Sequence, residues 1–170
     1  MFVGDRFVMI VRQVIGENED QTPDIEVEAI TIVAGNMPVE QGSINARYTV
    51  ELCGKDVPVY PGADKPLIRE VYRAYSFHGP DVRGGMNDRV KTPPAEGHAG
   101  EVRIDTNKAN PGVRVVTLGP RTNVALAVSQ APEIVENVSR GVVMGGAWLT
   151  ASATLVMGPS VTSMIPGLAL

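Results

Sequence analysis

Two stretches constrain this chain more than any others: IEVEAITIVA over Ile25 to Ala34, and VRVVTL over Val113 to Leu118. Both are dense in β-branched residues, and both stop at glycine, Gly35-Asn36 in one case and Gly119-Pro120 in the other. Such a run predicts a strand, and in the first stretch one buried on both faces at its end. A helix is expected after each. Pro38 to Leu52 has no internal breaker other than Gly42, and Ile44, Tyr48 and Leu52 recur every four residues. That spacing predicts a helix with those three inward, ending at Gly54. The second helix is expected to be capped near Thr122 or Asn123, with Val124, Ala127, Val128 and Ala131 inward. Shorter elements fill the gaps: a strand over Val57 to Tyr60 closed by Pro61-Gly62, a helical turn over Ile134 to Val138, and a strand over Gly141 to Met144 that ends at Gly145-Gly146. Strand, helix, strand, helix, strand with short links predicts parallel βαβ units: an α/β fold with an open, mainly parallel sheet and flanking helices.

Composition narrows the function classes. A chain of 170 residues with 44% hydrophobic and 20% charged residues is expected to form one ordinary globular domain. Fifteen basic residues against nineteen acidic ones, with no Lys/Arg run, argue against a nucleic-acid binder held by phosphate contacts. The single cysteine, Cys53, rules out an intramolecular disulfide or a cysteine zinc cluster, and its place beside Leu52 at a helix end reads as packing. Asp5, Arg6 and Arg12 interrupt the apolar start, so a secretory signal is not expected and the protein reads as cytoplasmic. Gly141 to Leu170 carry no charge, yet Gly145, Gly146, Thr150, Ser152, Thr154, Gly158, Pro159 and Ser160 break the run of about 20 apolar residues that a membrane helix needs. A buried strand near Val142 and a weakly structured tail are expected there.

In open parallel sheets, ligands bind beyond the carboxyl ends of the strands. Three such ends are expected here, at Ala34-Gly35-Asn36, Leu118-Gly119-Pro120 and Met144-Gly145-Gly146. Glycine lets a ligand approach the backbone, and Asn36 offers both a donor and an acceptor to a hydroxylated ligand. Neither a G-x-G-x-x-G after a strand, a phosphate-binding G-x-x-x-x-G-K nor a G-x-S-x-G elbow occurs. His78 and His98 flank a long Gly/Pro-rich loop, Ser76 to Gly97, and neither has a second ligand at metal spacing. Trp148 reads as core or tail packing.

Taken together, IEVEAITIVAGN (Ile25 to Asn36), DVPVYPGADKPL (Asp56 to Leu67), FHG (Phe77 to Gly79), VTLGPRTNVALAV (Val116 to Val128) and APEIVENVSRGVVMGGA (Ala131 to Ala147) resemble the inosine–uridine nucleoside hydrolase family. The resemblance covers Asp24 to Ala147. It implies an α/β domain that splits the N-glycosidic bond of ribonucleosides, with a Ca²⁺ orienting the ribose hydroxyls and a water. It also implies roles by position. Asn36 would contact the ribose, the Leu118 main-chain carbonyl would be a calcium ligand, Met144 would line the pocket, and His78 would belong to a loop near the base. Ribonucleoside or ribose is thus the expected partner, with neither nucleic acid nor membrane, and homo-oligomerisation is left open.

The ends depart from that pattern. The family's first strand ends in an aspartate cluster, D-x-D-x-x-x-D-D, that supplies calcium ligands and the catalytic base. Counting back from Asn36, Asp5 falls on the first of these, while Phe7, Val11 and Arg12 occupy the other three. Phenyl and isopropyl groups cannot ligate a cation, and a guanidinium repels one. The tail after Gly146 lacks the family's ribose-binding segment, and Arg103 and Asn107 stand where the pattern wants apolar helix residues, with Gly100 weakening that helix's start. The length fits roughly the amino-terminal half of the family's domain. Two functions follow as expectations: a nucleosidase by ancestry with little or no catalysis, or a non-catalytic module for ribose binding or assembly.

Overall fold

The computed structural model describes residues 7–14, 24–35, 37–68, 70–71, 90–144 and 154–157, with backbone only at 7–14, 24 and 154–157. In chain order the elements are β1 (Phe7–Val14), β2 (Asp24–Ile32), α1 (Val39–Leu52), β3 (Val59–Tyr60), α2 (Ala99–Ala109), β4 (Val113–Thr117), α3 (Thr122–Gln130), a 3-10 turn (Pro132–Asn137), β5 (Val138–Met144) and β6 (Thr154–Met157). The described strands form one sheet in the order β3-β2-β1-β4-β5-β6. β2 and β3 are parallel, as are β4 and β5. β1 runs antiparallel to both β2 and β4, and β6 antiparallel to β5. Four strands therefore share one direction, β1 and β6 oppose them, and helices flank an open sheet as expected. The antiparallel β1 is the main departure from an all-parallel order. β6 is a second, since a strand stands within the tail read as weakly structured.

The alternation in β2 sorts its residues between two helical layers. Ile30 and Ile32 pack with Ala34, Val39, Ala46 and Val59 beneath α1. Ala29 packs with Val113 on the opposite side, where the satellite cluster Ala127, Ala131 and Ile134 joins α3 to the 3-10 turn. Because both sides are covered, the end of β2 reads as a continuous apolar run.

α1 has the expected extent and a different inner face. Val39, Gly42, Ser43 and Ala46 are its buried positions toward the sheet, while Leu52 is 62% exposed. A Cβ on Gly42 would stand 2.9 Å from Ile32 Cγ2, so glycine is what lets the helix backbone approach the strand this closely. Hydrophobic periodicity points instead at the larger Ile44, Tyr48 and Leu52, because small residues carry little weight in such a pattern. The helix closes as predicted: Gly54 has φ +61°, and its N–H donates to Glu51 O at 3.0 Å. Cys53 forms the C-cap and is exposed, which corrects its reading as a packing residue.

α2 forms despite the two polar residues that break its apolar stripe. His98, at the end of the long loop, is its N-cap, and Nδ1 accepts from Gly100 N at 3.2 Å. Arg103 and Asn107 are both buried, so they occupy the inner positions the pattern reserves for apolar side chains. α3 starts from Arg121 with no side-chain cap. Thr122 and Asn123 lie inside its first turn, and Asn123 serves a different purpose.

Candidate functional site

The register places one edge of the sheet residue by residue. Phe7 pairs with Ile32, Val8 with Thr117, and Thr117 with Val143. One step further along, Leu118 and Met144 leave neighbouring strands side by side. β3 joins the same row, because Thr31 pairs with Tyr60 and Pro61 follows it. This is the edge where β2, β3, β4 and β5 all end, the position at which open α/β sheets hold ligands.

A single buried side chain ties these ends together. Asn123 donates Nδ2 to Ile32 O at 2.7 Å and accepts the Ala63 N–H on Oδ1 at 2.9 Å. Ala63 in turn accepts the Ala34 N–H at 2.9 Å. The turn after β3 is held from α2 as well, where Ala99 N donates to Pro61 O at 3.0 Å. Gly62 leaves no room for anything larger: a Cβ there would lie 2.5 Å from Asn123 Nδ2 and 2.6 Å from Ala99 Cβ. On the α1 side, buried Asn45 donates to Met37 Sδ at 3.4 Å and accepts from Gln41 Nε2 at 2.9 Å, while Gly35 N donates to Met37 O at 3.2 Å. These bonds hold the turn that follows β2 against the first half of α1.

Of the residues singled out from the sequence, this edge brings together Leu118 and Met144. Leu118 is half-buried, and Met144 is 45% exposed, so plain core packing does not describe Met144. Phe7 joins them through its backbone pairing. Val11 and Arg12 do not. Val11 pairs with Val27 and Arg114, and Arg12 pairs with Glu26, at the opposite edge. Val11 lies four positions along the strand from Phe7, about 13 Å away. Because β1 runs antiparallel, the spacing D-x-D-x-x-x-D-D cannot gather all its positions at the ligand edge here. Asn36, His78 and Asp5 lie outside the described residues, as do Trp148 and the loop from 72 to 89.

The residues of this edge can be tested against the calcium that the resemblance implies. Ca²⁺ takes six to eight oxygen ligands and prefers carboxylates. Ile32 to Gly35, Pro61 to Ala63, Thr117 to Pro120, Val143, Met144 and Phe7 include no acidic side chain. No group of three or more His, Cys, Asp or Glu converges among the described residues. The Leu118 carbonyl alone does not make a calcium site, so these residues do not fit the ion. Nor does any of them supply a group that ionises near neutral pH to move a proton.

Charge near the site follows from burial. Arg103, 2% exposed, donates from a terminal guanidinium nitrogen to Thr31 Oγ1 at 3.3 Å, and its Nε has no partner among the described residues. Burial pushes its pKa down to about 10, so it stays charged at neutral pH. Further out, Glu51 Oε1 accepts Lys91 N at 2.9 Å, Thr92 N at 2.7 Å and Thr92 Oγ1 at 2.8 Å, and those bonds hold its carboxyl below the usual range. Arg47 donates to Thr92 O beside it. The pair clamps the segment at Lys91-Thr92 to the end of α1.

Sequence reasoning missed Asn123 as a tie, Asn45 and Gly62. The T-N pair after Gly119-Pro120 carries the signature of a helix cap, and that signature hides a tertiary role. Only the long-range pairing of β2 with the turn after β3 reveals it.

Comparison with known proteins agrees with the α/β fold. A family model described as inosine-uridine preferring nucleoside hydrolase matches residues 14–157. An inosine-uridine preferring nucleoside hydrolase of Leishmania major is 37% identical over 139 residues, covering 79% of this chain and 44% of that protein. A non-specific ribonucleoside hydrolase of Klebsiella pneumoniae is 36% identical over 126 residues, covering 73% of this chain and 41% of that protein. A solved plant nucleoside hydrolase superposes with a TM-score of 0.67 at 31% identity, over 72% of this chain and 40% of that one. The chain thus spans about two fifths of the length of the curated relatives it matches.

Proposed function

The chain belongs to the inosine-uridine preferring nucleoside hydrolase family, and from that premise we propose that its carboxyl edge binds a ribonucleoside, or the ribose part of one, and cleaves it slowly or not at all. The family relation supplies the substrate class. The edge described above supplies the limit on turnover. Hydrolysis of an N-glycosidic bond breaks the bond from the anomeric carbon to the base nitrogen and forms one from that carbon to a water oxygen. It needs a group to take the water's proton and a group to give one to the departing base. The described residues at the strand ends offer backbone amides and carbonyls and the half-exposed Met144, which suit binding and orientation of hydroxyl groups. They offer neither proton acceptor nor donor at neutral pH.

The observation that carries this reading is the register itself. The row Pro61–Ile32–Phe7–Leu118–Met144 lies at the carboxyl ends of β2 to β5, where open α/β sheets hold ligands, and bears no carboxylate. Calcium, which the resemblance implies for catalysis, finds no acidic ligand among these residues. A release assay tests the claim directly: free ribose is measured after incubation with inosine and with uridine, each with and without added Ca²⁺. No release above the uncatalysed background is expected in any arm. Robust, calcium-dependent release would sink the claim of impaired turnover. A rise in melting temperature with ribose or inosine is expected, and its absence would count against binding.

A further inference from the structure

The bonds made by Asn123 support an inference that rests on this reading of a ribose-binding edge and goes beyond it. We propose that Asn123 is the positioning residue of that edge: through one planar amide it fixes the relative places of the end of β2, the turn after β3 and the first turn of α3. The residue itself is fully buried. Its two polar atoms face partners that lie 91 and 60 positions away in the chain, Ile32 O at 2.7 Å and Ala63 N at 2.9 Å. Ile32 precedes the segment Val33–Gly35, which leads to Asn36, and Ala63 holds the Ala34 N–H at 2.9 Å. Leu118, five residues before Asn123 in the chain, leaves β4 on the way to α3. Displacing this amide therefore moves the ends of β2, β3 and β4 that make up this edge.

The chemistry requires a side chain that donates and accepts at once, in one plane and at this reach. Alanine would leave a buried carbonyl and a buried N–H unpaired. Serine is shorter than the 2.7 and 2.9 Å contacts allow. An ionised aspartate keeps the acceptor for Ala63 N and turns a second acceptor against Ile32 O. A protonated aspartic acid, by contrast, has an O–H to donate and a carbonyl to accept. The site thus contains its own rescue, because burial and the facing carbonyl both favour the neutral acid. Gly62 completes the arrangement, since any side chain there would occupy the space of the Asn123 amide.

The test compares wild type, Asn123→Asp and Asn123→Ala by amide hydrogen exchange, corrected for intrinsic rates at each pH, alongside ribose-dependent melting shifts. At pH 9, Asn123→Asp is expected to lose protection about tenfold or more at Ala34 and Ala63, while Val115 and Val116 in the middle of β4 keep theirs. As the pH falls toward about 5, the ratio of wild-type to Asn123→Asp protection at Ala34 and Ala63 should return toward one, because burial favours the acid form and that form restores both bonds. A residue that merely fills space would show no such recovery. The proposal is overturned if Ala34 and Ala63 keep full protection at pH 9, if protection falls equally in β4, or if acid brings no recovery. Should Asn123→Ala fail to fold, the pH series on Asn123→Asp still decides. The ribose arm separates the two claims: no shift in wild type defeats the binding reading and leaves exchange to judge Asn123, whereas a wild-type shift that Asn123→Asp retains in full at pH 9 overturns the positioning role.

Discussion

The two sides of the sheet are covered by different chemistry. Under α1, Ile30, Ile32, Ala34, Val39, Ala46 and Val59 form an apolar layer, and Gly42 brings the helix close enough to close it. Under α2, the inner positions include the polar Arg103 and Asn107 beside Ala99 and Gly100, while Ile104 packs on the cluster of Ala127, Ala131 and Ile134. One guanidinium nitrogen reaches Thr31 Oγ1 at 3.3 Å, while Arg103 Nε and Asn107 Oδ1 find no partner among the described residues. Both helices form and both dock. What differs is the source of their adhesion. α1 is held by area removed from water, whereas α2 carries a desolvated cation and is held by the packing of Ile104 on the α3 cluster and by bonds around its rim. There Ala99 N bonds Pro61 O, Asn137 Nδ2 bonds Asn107 O at 3.1 Å, and Lys108 Nζ meets Glu133 at 2.9 Å on the surface. The lesson is that a helix can keep its place in a fold after its inner stripe has lost its apolar character, provided the edges still hold it.

Substitutions can break or sharpen this contrast. The largest loss is expected on the apolar side: Ile32→Ala should cost about 2–5 kcal/mol in urea unfolding, since it deletes a fully buried side chain beneath α1. On the other side the sign reverses. Arg103→Leu should stabilise by about 1–4 kcal/mol, because it removes a buried charge that makes no ion pair among the described residues. The folded pKa of about 10 lies below the ordinary guanidinium value, so the penalty is fully present below about pH 9 and is relieved only above the folded value. The gain from Arg103→Leu should therefore be constant between pH 5 and 8, and a loss of stability in that variant would break the contrast outright. Third, Gly42→Ala should destabilise by about 1 kcal/mol. The Cβ contact of 2.9 Å with Ile32 Cγ2 outweighs the helix-forming advantage of alanine, and a neutral result would mean that α1 can retreat from the sheet.

The smallest effect belongs to the clamp at the end of α1. The Glu51 carboxyl is depressed by its bonds from Thr92 and Lys91, so its contribution is present above the unfolded carboxylate value and is lost as the pH falls through the folded one. Glu51→Gln should melt slightly below wild type at pH 6, and the two curves should merge as the pH approaches 3. Curves that stay apart in acid would show that the carboxylate charge has no part in holding Thr92.

The legibility of the fold divides along similar lines. β2 and β4 were readable because β-branched runs that stop at glycine state a strand locally, without help from the rest of the chain. The limits of α1 were readable for the same reason, from Pro38 to Gly54. Its buried face was not, because Gly42, Ser43 and Ala46 make contact through their smallness, which hydrophobic spacing does not register. α2 was half legible: Arg103 and Asn107 were visible as misfits, but their burial depends on what lies opposite. The direction of β1 could not be read at all. Nothing in FVMIVRQV prefers one orientation, and pairing with β2 and β4 decides it. Within the candidate site, the strand ends at Leu118 and Met144 were legible as punctuation, while Asn123 looked like a cap until its partners were located.

The position of β1 also bears on how the molecule assembles in time. Pairing of β1 with β2 joins neighbours in sequence, and β4, α3, the 3-10 turn and β5 form a second contiguous block. These two blocks meet along the ladder from Val8–Thr117 to Val11–Arg114, whose strands lie more than a hundred residues apart. Loop closure over that span is slow compared with local pairing. Refolding should therefore show early protection within each block and late protection across the β1–β4 ladder, with the two halves of the sheet zipping together last.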